Sequence, residues 1–388
     1  MTLRALVRLL LLVGLLFAAR LDVCVGTANA GPVSATPPWR FMVIGDSRGS
    51  WFMEPINTAI MTELKAEILR VKPAFVFVSG DLVYSGNQAD FQTWRDLLAD
   101  VYDAGIAVYP VMGNHDASDP DGFKAVFGGD IPDNGPPGET DLTYFVAHEN
   151  ALVLALDYYD SPTVINMPWV NSVLDANTRP HVFAIGHMPA FKVAHTDCLD
   201  NYPQLRDKFW DTLKAAGGRA YFAGHDHFYD HMRVDDGDGN EDNDLHQIIV
   251  GTAGAPLYGD APYDGDNGPW TPTRILHEPN YGYVLVEIEN RDATLTWYHR
   301  ASPGLYLARD LWSYTAVPPV RIHVERLAAS PPLLHLWFTG EEDALYDVEA
   351  SSDLVNWDWV GTFMITGGTA GFNYNPSWDG ARFFRVRQ

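Results

Sequence analysis

Cysteine is nearly absent. The 388 residues hold only Cys24 and Cys198, which excludes a disulfide-stapled scaffold. Positive charge is scarce too: 26 Lys and Arg stand against 50 Asp and Glu, a formal net charge of −24. So acidic a surface repels nucleic-acid backbone and anionic membrane, so no nucleic-acid polymer is expected as a partner. A phosphate-bearing ligand then needs a local positive centre, which metal ions supply. No apolar run is long enough to span a bilayer, and no internal repeat or low-complexity segment occurs. What is present suffices for packed cores. The hydrophobic fraction of 47% and aromatic fraction of 13% exclude wholesale disorder, and the length calls for about two domains.

The first 30 residues read as a signal peptide. Arg4 and Arg8 form a positive region, Leu9–Ala19 an apolar one, and Ala28-Asn29-Ala30 an A-x-A cleavage site before Gly31. The apolar run is too short for a membrane anchor and is closed by Arg20 and Asp22. Asp22 and Val23 also fit lipoprotein processing at Cys24 poorly. A secreted or periplasmic protein is expected, without stable membrane insertion after cleavage. Cys198 would then be alone, and no intrachain disulfide would form.

After a linker (31–38) the pattern becomes strand, loop, helix, repeated. Phe41–Ile44 is a short apolar strand ending in Gly45-Asp46-Ser47-Arg48. Ile56, Ile60, Leu64 and Ile68 mark the buried stripe of a helix. Ala74–Val78 is a strand ending in Ser79-Gly80-Asp81, and Phe91, Trp94, Leu98 and Val101 mark the next helix. Ala107–Tyr109 leads to Val111-Met112-Gly113-Asn114-His115-Asp116. Ala151–Leu156 is a buried strand, and Asn166 caps a helix through Leu174. Strand His181–Ile185 runs into Gly186-His187, a helix carries Leu205, Phe209 and Leu213, and strand Ala220–Ala223 ends in Gly224-His225-Asp226-His227. Further strands are expected at Gln247–Val250, Tyr283–Ile288 and Thr294–Tyr298. Alternating strands and helices indicate an α/β domain over 39–316. Past Pro318-Pro319 short alternating strands such as Leu345–Ala350 and Phe383–Arg387 suggest a small β-sandwich over 320–388.

The polar residues that follow these strands are Asp46, Asp81, Asn114, His115, Asp116, His187, His225 and His227. Open α/β sheets bind ligands at the carboxyl ends of their strands, so these side chains are expected to converge. Oxygen and imidazole ligands without thiolate suit Mn, Fe or Zn. Two carboxylates, an amide and several imidazoles match a two-metal centre for displacement at phosphorus. Each motif alone has a plainer explanation, a turn Gly-Asp or a core histidine; four in this order at strand ends do not.

The order G-D, G-D, G-N-H-D, G-H, G-H-x-H resembles the calcineurin-like metallophosphoesterase superfamily, which includes purple acid phosphatases. The similarity runs from about Arg40 to Tyr298 and takes in Gly251-Thr252-Ala253-Gly254-Ala255-Pro256. It implies an α/β, four-layer αββα sandwich around two mixed sheets. It also implies a phosphomonoesterase or phosphodiesterase acting on a small phosphoester, with a metal-bridging hydroxide as nucleophile. By the same resemblance, Asp81 bridges two metals, Asp46 and His227 bind the first, and Asn114, His187 and His225 bind the second. His115 contacts the phosphate and assists the leaving group, and Asp116 holds the His115 ring.

One position departs from the family pattern. Where Asp-x-His is usual, this chain has Asp46-Ser47-Arg48. Arginine has no lone pair for a metal, so the first site is short of a ligand. Arg48 is expected to reach the substrate phosphate, the alternative being an outward ion pair. A catalytically silent, metal-containing binding protein is the second reading of the chain, and a glycan- or surface-binding protein dominated by its C-terminal module the third. The acidic stretch Asp235–Asp244 is read as a solvated hairpin tip, with a calcium loop as its alternative. His195 and Asp197 read as surface groups that alternatively line the pocket. The loop Tyr258–Pro272 reads equally as a lid or a cover for the sheet.

Overall fold

The structure, a computed structural model, describes residues 37–259, 265–317, 320, 322–327, 333–340, 343–366, 369–374 and 383–387. The expected signal peptide, most of the linker and the Pro318-Pro319 boundary lie outside the described residues. Contacts divide the chain into two compact units, one within Ala35–Pro319 and one within Val320–Gln388.

In chain order the larger unit contains strands β1 (Trp39–Ile44), β2 (Arg48–Trp51), β3 (Glu54–Ile56), β4 (Phe75–Val78), β5 (Ala107–Pro110), β6 (Tyr144–His148), β7 (Ala151–Ala155), β8 (His181–Ile185), β9 (Gly218–Ala223), β10 (Tyr229–Asp235), β11 (Leu245–Val250), β12 (Thr271–Glu278), β13 (Gly282–Glu289), β14 (Asp292–Ser302) and β15 (Leu305–Thr315). Its helices are α1 (Thr58–Val71), α2 (Gln88–Leu97), α3 (Ala99–Asp103), α4 (Pro120–Phe127), α5 (Met167–Ala176) and α6 (Pro203–Ala215).

Two mixed sheets result, ordered β15-β14-β13-β1-β4-β5 and β12-β10-β11-β9-β8-β7-β6. The apolar runs at β1, β4, β7, β8 and β9 form parallel centres, as sequences buried on both faces do. Phe41 and Phe77 of the first sheet meet Phe183 and Phe222 of the second, with Phe41 and Phe183 ring centroids 5.5 Å apart. Outside the first sheet lie the apolar stripes of α1 (Ile60, Leu64, Ile68) and α2 (Phe91, Trp94). Outside the second lie Val170 and Leu174 of α5 and Phe209, Trp210 and Leu213 of α6. The layers are therefore helix, sheet, sheet, helix, as the family resemblance implies.

Local chemistry sets most boundaries. Asn166 caps α5 as expected, accepting from Trp169 N–H at 3.3 Å. The first helix starts later than its apolar stripe suggests. Asn57 accepts from Ile60 N–H and caps α1, so Ile56 ends strand β3 instead. Strands β12 and β15 were not expected. Both are sheet edges, and neither has a continuous apolar run because most of its side chains are partly exposed. The Asp235–Asp244 stretch joins the antiparallel pair β10–β11. Asp235, Asp236 and Asp244 converge there, with Lys214 paired to Asp236 and Arg233 lying 3.4 Å from Asp244.

Helix α1 is fastened to the first sheet by Glu63, which accepts both forks of Arg300 at 2.7 and 2.8 Å. Hydrogen bonding to Arg300 pulls the Glu63 carboxyl from 4.5 down to about 2. A depressed carboxylate contributes its stability above the ordinary pKa and loses it as pH falls through the folded one. Glu63→Gln is expected to lower stability by about 1–2 kcal/mol at pH 7. Thermal melts across pH should show that difference shrinking below pH 4.5 and vanishing near 2.

The smaller unit contains β16 (Ile322–Leu327), β17 (Leu333–Thr339), β18 (Leu345–Ser351), β19 (Asp358–Met364), β20 (Thr369–Tyr374) and β21 (Phe383–Arg387). They form two three-stranded sheets, β16-β17-β20 and β19-β18-β21. Leu336, Phe338 and Phe372 from one sheet and Tyr346 and Val348 from the other share a core. Tyr346, Val348 and Ala350 form one buried face of β18, following the period of two along a strand.

Candidate metal centre

The polar motifs do converge. Asp46 follows β1, Asp81 follows β4, Asn114 follows β5, His187 follows β8, and His225 and His227 follow β9. Asp46, Asp81, His187, His225 and His227 are all buried. Asp46, Asp81 and His225 have φ of 58°, 55° and 70°, a left-handed conformation that Asp and His tolerate better than most residues. Such outliers cluster at functional sites, because the turn redirects a side chain that a strand would aim elsewhere. Glycine precedes these residues for a steric reason. A Cβ on Gly113 would collide with the amide and carboxylate of Asp81, and one on Gly80 (φ +89°) with His187 Nδ1.

The imidazoles are oriented as metal ligands are. His187 Nδ1 lies 2.7 Å from the Ser79 carbonyl, and His227 Nδ1 lies 2.9 Å from that of Pro256. Only a protonated nitrogen suits a carbonyl, so each Nδ1 carries the hydrogen and each Nε2 turns a lone pair inward. His225 is reversed: Nε2 lies 3.0 Å from Asp197 Oδ1 and Nδ1 faces the cluster. Asn114 Oδ1 is 3.0 Å from both His187 Nε2 and His225 Nδ1, and those nitrogens are 3.2 Å apart. Asp81 Oδ1 lies 3.4 Å from His187 Nε2. Electron-rich atoms so close repel one another unless a cation lies between them. The donor set therefore fits a divalent ion held by Asp81, Asn114, His187 and His225.

Electrostatics agree. Burial pulls His187 down to about 4 and His227, with Arg48 beside it, down to about 3; both are neutral ligands at neutral pH. Burial, then the neighbouring Asp81 charge, raise Asp46 well above the carboxylate range. Burial also opposes ionisation of Asp81, yet the surrounding imidazoles, the His115 amide and Arg48 hold its pKa low. A carboxylate pair in one cavity is costly until a cation neutralises it.

Arg48 points inward. Its side chain is only 11% exposed, with Nε 3.4 Å from Asp81 Oδ2 and Nη2 3.5 Å from His227 Nε2. The outward ion pair is excluded. The segment Gly251–Pro256 braces this side: Ala253 and Ala255 donate to the carbonyls of Gly45 and Asp46, and Pro256 receives His227.

The role expected of Asp116 needs correction. Its carboxylate does not hold the His115 ring. It accepts instead from the backbone N–H groups of Leu82, Val83 and Gly113, at 3.0–3.2 Å. It thereby ties the loop after β5 to the loop after β4. The His115 ring is held by the Tyr84 carbonyl at Nδ1, while Nε2 lies 3.9 Å from Asp81 Oδ2.

Two groups read as surface residues belong to the site. Asp197 touches His225, as above. His195 stacks on it with ring centroids 4.2 Å apart, and its Nδ1 is 2.6 Å from Asp226 Oδ1. Asp226 itself was overlooked, though it is fully buried and also accepts from the backbone of Ala194 and His195. The signal was available. An acid between two histidines of ligand type, directly after an apolar strand, needs partners of its own once it is buried. Tyr258 stacks on His227 with centroids 4.3 Å apart, and Trp270 is buried.

Residues 40–229 match the family model of the calcineurin-like phosphoesterases. This region belongs to that family. No curated protein matches the chain in sequence. Among solved structures, the chain is similar to a purple acid phosphatase from yellow lupin (Lupinus luteus) seeds, with 14% identity and a TM-score of 0.55. That match covers 72% of this chain and 54% of the lupin enzyme, so the chain spans about half of its length. PhoD is similar at 12% identity and TM-score 0.52, covering 74% of this chain and 71% of PhoD. GAP50, the anchor in the inner membrane complex of Plasmodium, is similar at 14% identity and TM-score 0.51, covering 72% and 90%. At these identities the likeness is one of fold. Among the described residues no helix is long and apolar enough to cross a membrane.

Proposed function

We propose that the protein is a secreted or periplasmic, metal-dependent hydrolase of small phosphomonoesters or phosphodiesters. The observation that carries this reading is the inward convergence of two bare imidazole nitrogens, the Asn114 amide oxygen and the Asp81 carboxylate on one point. A metal held there (Mn, Fe or Zn) supplies Lewis acidity toward phosphate and a water of lowered pKa. Asp46, Asp81 and His227 form the ligand set of the first metal in the dinuclear centre that the family resemblance implies.

The remaining steps belong to the chain. Arg48 contributes a fixed positive charge and N–H donors toward the phosphate oxygens. His115, held by Tyr84 at Nδ1, presents Nε2 to the leaving oxygen and donates a proton there. Hydrogen bonding to Asp226 raises the pKa of His195, which favours a positive imidazole at the rim of the pocket. The C-terminal unit is assigned to contact with glycan or cell surface.

The test is hydrolysis of p-nitrophenyl phosphate and bis-p-nitrophenyl phosphate with Mn, Fe or Zn added. Turnover that is abolished by a chelator and restored by metal is expected, and the better substrate identifies the ester type. Arg48 in place of a family ligand favours the second reading, a silent metal-containing binding protein; the same fold serves as an anchor in GAP50. Bound metal without turnover on either ester would select it.

A further inference from the structure

We propose that the Arg48 guanidinium takes the place of the first metal ion, so that each chain binds one ion, in the Asp81, Asn114, His187 and His225 set. The inference rests on the phosphoesterase reading and narrows it from two metals to one metal plus one built-in organic cation.

The two ligand sets differ in what their atoms already contact. In the first, His227 Nε2 has only a lone pair to offer, because Nδ1 donates to Pro256. That lone pair faces Arg48 Nη2 at 3.5 Å. Asp81 Oδ2, the oxygen on the same side, lies 3.4 Å from Arg48 Nε. Two of the three atoms that would bind a first metal therefore already lie within 3.5 Å of guanidinium nitrogens. Asp46 is the third, with Oδ1 3.6 Å from His227 Nε2, and both of its oxygens also face the His225 amide, at 3.0 and 3.1 Å. In the second set Asp81 Oδ1 also accepts a backbone amide, that of His115 at 3.0 Å, but no guanidinium enters it. Its two imidazole nitrogens and the Asn114 oxygen lie 3.0–3.2 Å from one another, an arrangement that a bound cation relieves.

Charge leads the same way. Arg48 brings a guanidinium, a fixed positive charge. Its side chain is only 11% exposed, so an added divalent ion beside it would meet a repulsion that water screens only in part. The guanidinium also reproduces part of what a first metal does. It balances the Asp46–Asp81 pair and offers in-plane N–H groups toward a phosphate. It differs in that it binds no water and releases no proton, so its charge is independent of metal supply.

The experiment counts ions in the purified full-length protein, stripped with chelator and equilibrated with Mn(II), by elemental analysis and EPR. Wild type and Arg48→Lys are expected to hold about one ion per chain, with the six-line spectrum of isolated Mn(II). Arg48→His, which restores a ligand and removes the charge, is expected to hold about two, with the exchange-coupled spectrum of ions ~3.5–4 Å apart. The coupled spectrum separates a paired centre from stray binding at Asp235, Asp236 and Asp244. Two coupled ions in wild type would overturn the inference and leave the phosphoesterase reading intact. One isolated ion in a folded Arg48→His protein would overturn it as well, since Arg48 would then not be what excludes the second. No ion in any variant would sink the metal reading with it.

Discussion

Asp81→Asn is expected to lower metal-dependent hydrolysis by about a thousandfold or more, close to 4 kcal/mol of lost transition-state stabilisation. Asp81 is the carboxylate both ligand sets share. Oδ1 faces His187 Nε2 at 3.4 Å, and Oδ2 faces Arg48 Nε at 3.4 Å. The exchange leaves the backbone alone, because asparagine tolerates the φ of 55° at this position. An amide oxygen can still accept the His115 N–H that Asp81 Oδ1 accepts at 3.0 Å. What disappears is one negative charge. Metal content should fall with activity. In the metal-free protein the exchange relieves the buried Asp46 but also removes a charge that Arg48 and the imidazoles stabilise, so the variant is expected to melt somewhat lower at neutral pH. Metal and activity lost together, in a protein that still folds, mark Asp81 as a ligand. Full turnover and full metal content in this variant would remove Asp81 from the site.

His115→Ala is expected to cost about a hundredfold in kcat/KM on an alkyl phosphate ester, the scale of a lost general acid. On a p-nitrophenyl ester the loss should be several-fold only. Nitrophenolate leaves without protonation, whereas an alkoxide does not. The reason to assign proton donation to Nε2 is geometric. Nδ1 is committed to the Tyr84 carbonyl, and Nε2 lies 3.9 Å from Asp81 Oδ2, on the side of the metal ligands. Metal content should not change, because the ring is outside the ligand set. If both esters lose activity equally, His115 binds phosphate rather than donating a proton, and the two roles are thereby separated.

How far each part was legible follows from the range of the forces that set it. The central strands could be read directly, since residues buried on both faces leave a continuous apolar run, as in Phe41–Ile44 and His181–Ile185. Edge strands β12 and β15 could not, because they are half in water and owe their extended form to their neighbours. The small C-terminal unit was legible where one face alternates, at Tyr346, Val348 and Ala350.

The sequence by itself determined which ligand-type residues exist and that they follow strand ends. In a sheet with parallel centres, those ends gather on one edge, so convergence came from topology already implicit in the pattern. Only the tertiary structure decided where each side chain aims. Left-handed turns at Asp46, Asp81 and His225 rotate their groups inward, and no local pattern encodes that rotation. It took the fold to bring Asp116 under the amides of Leu82 and Val83, to stack His195 on His225, and to place Arg48 against Asp81 and His227. Each of these contacts joins residues far apart in the chain. A hydrogen bond or ion pair acts over only a few ångströms, and which groups come that close is settled when the sheets and loops pack.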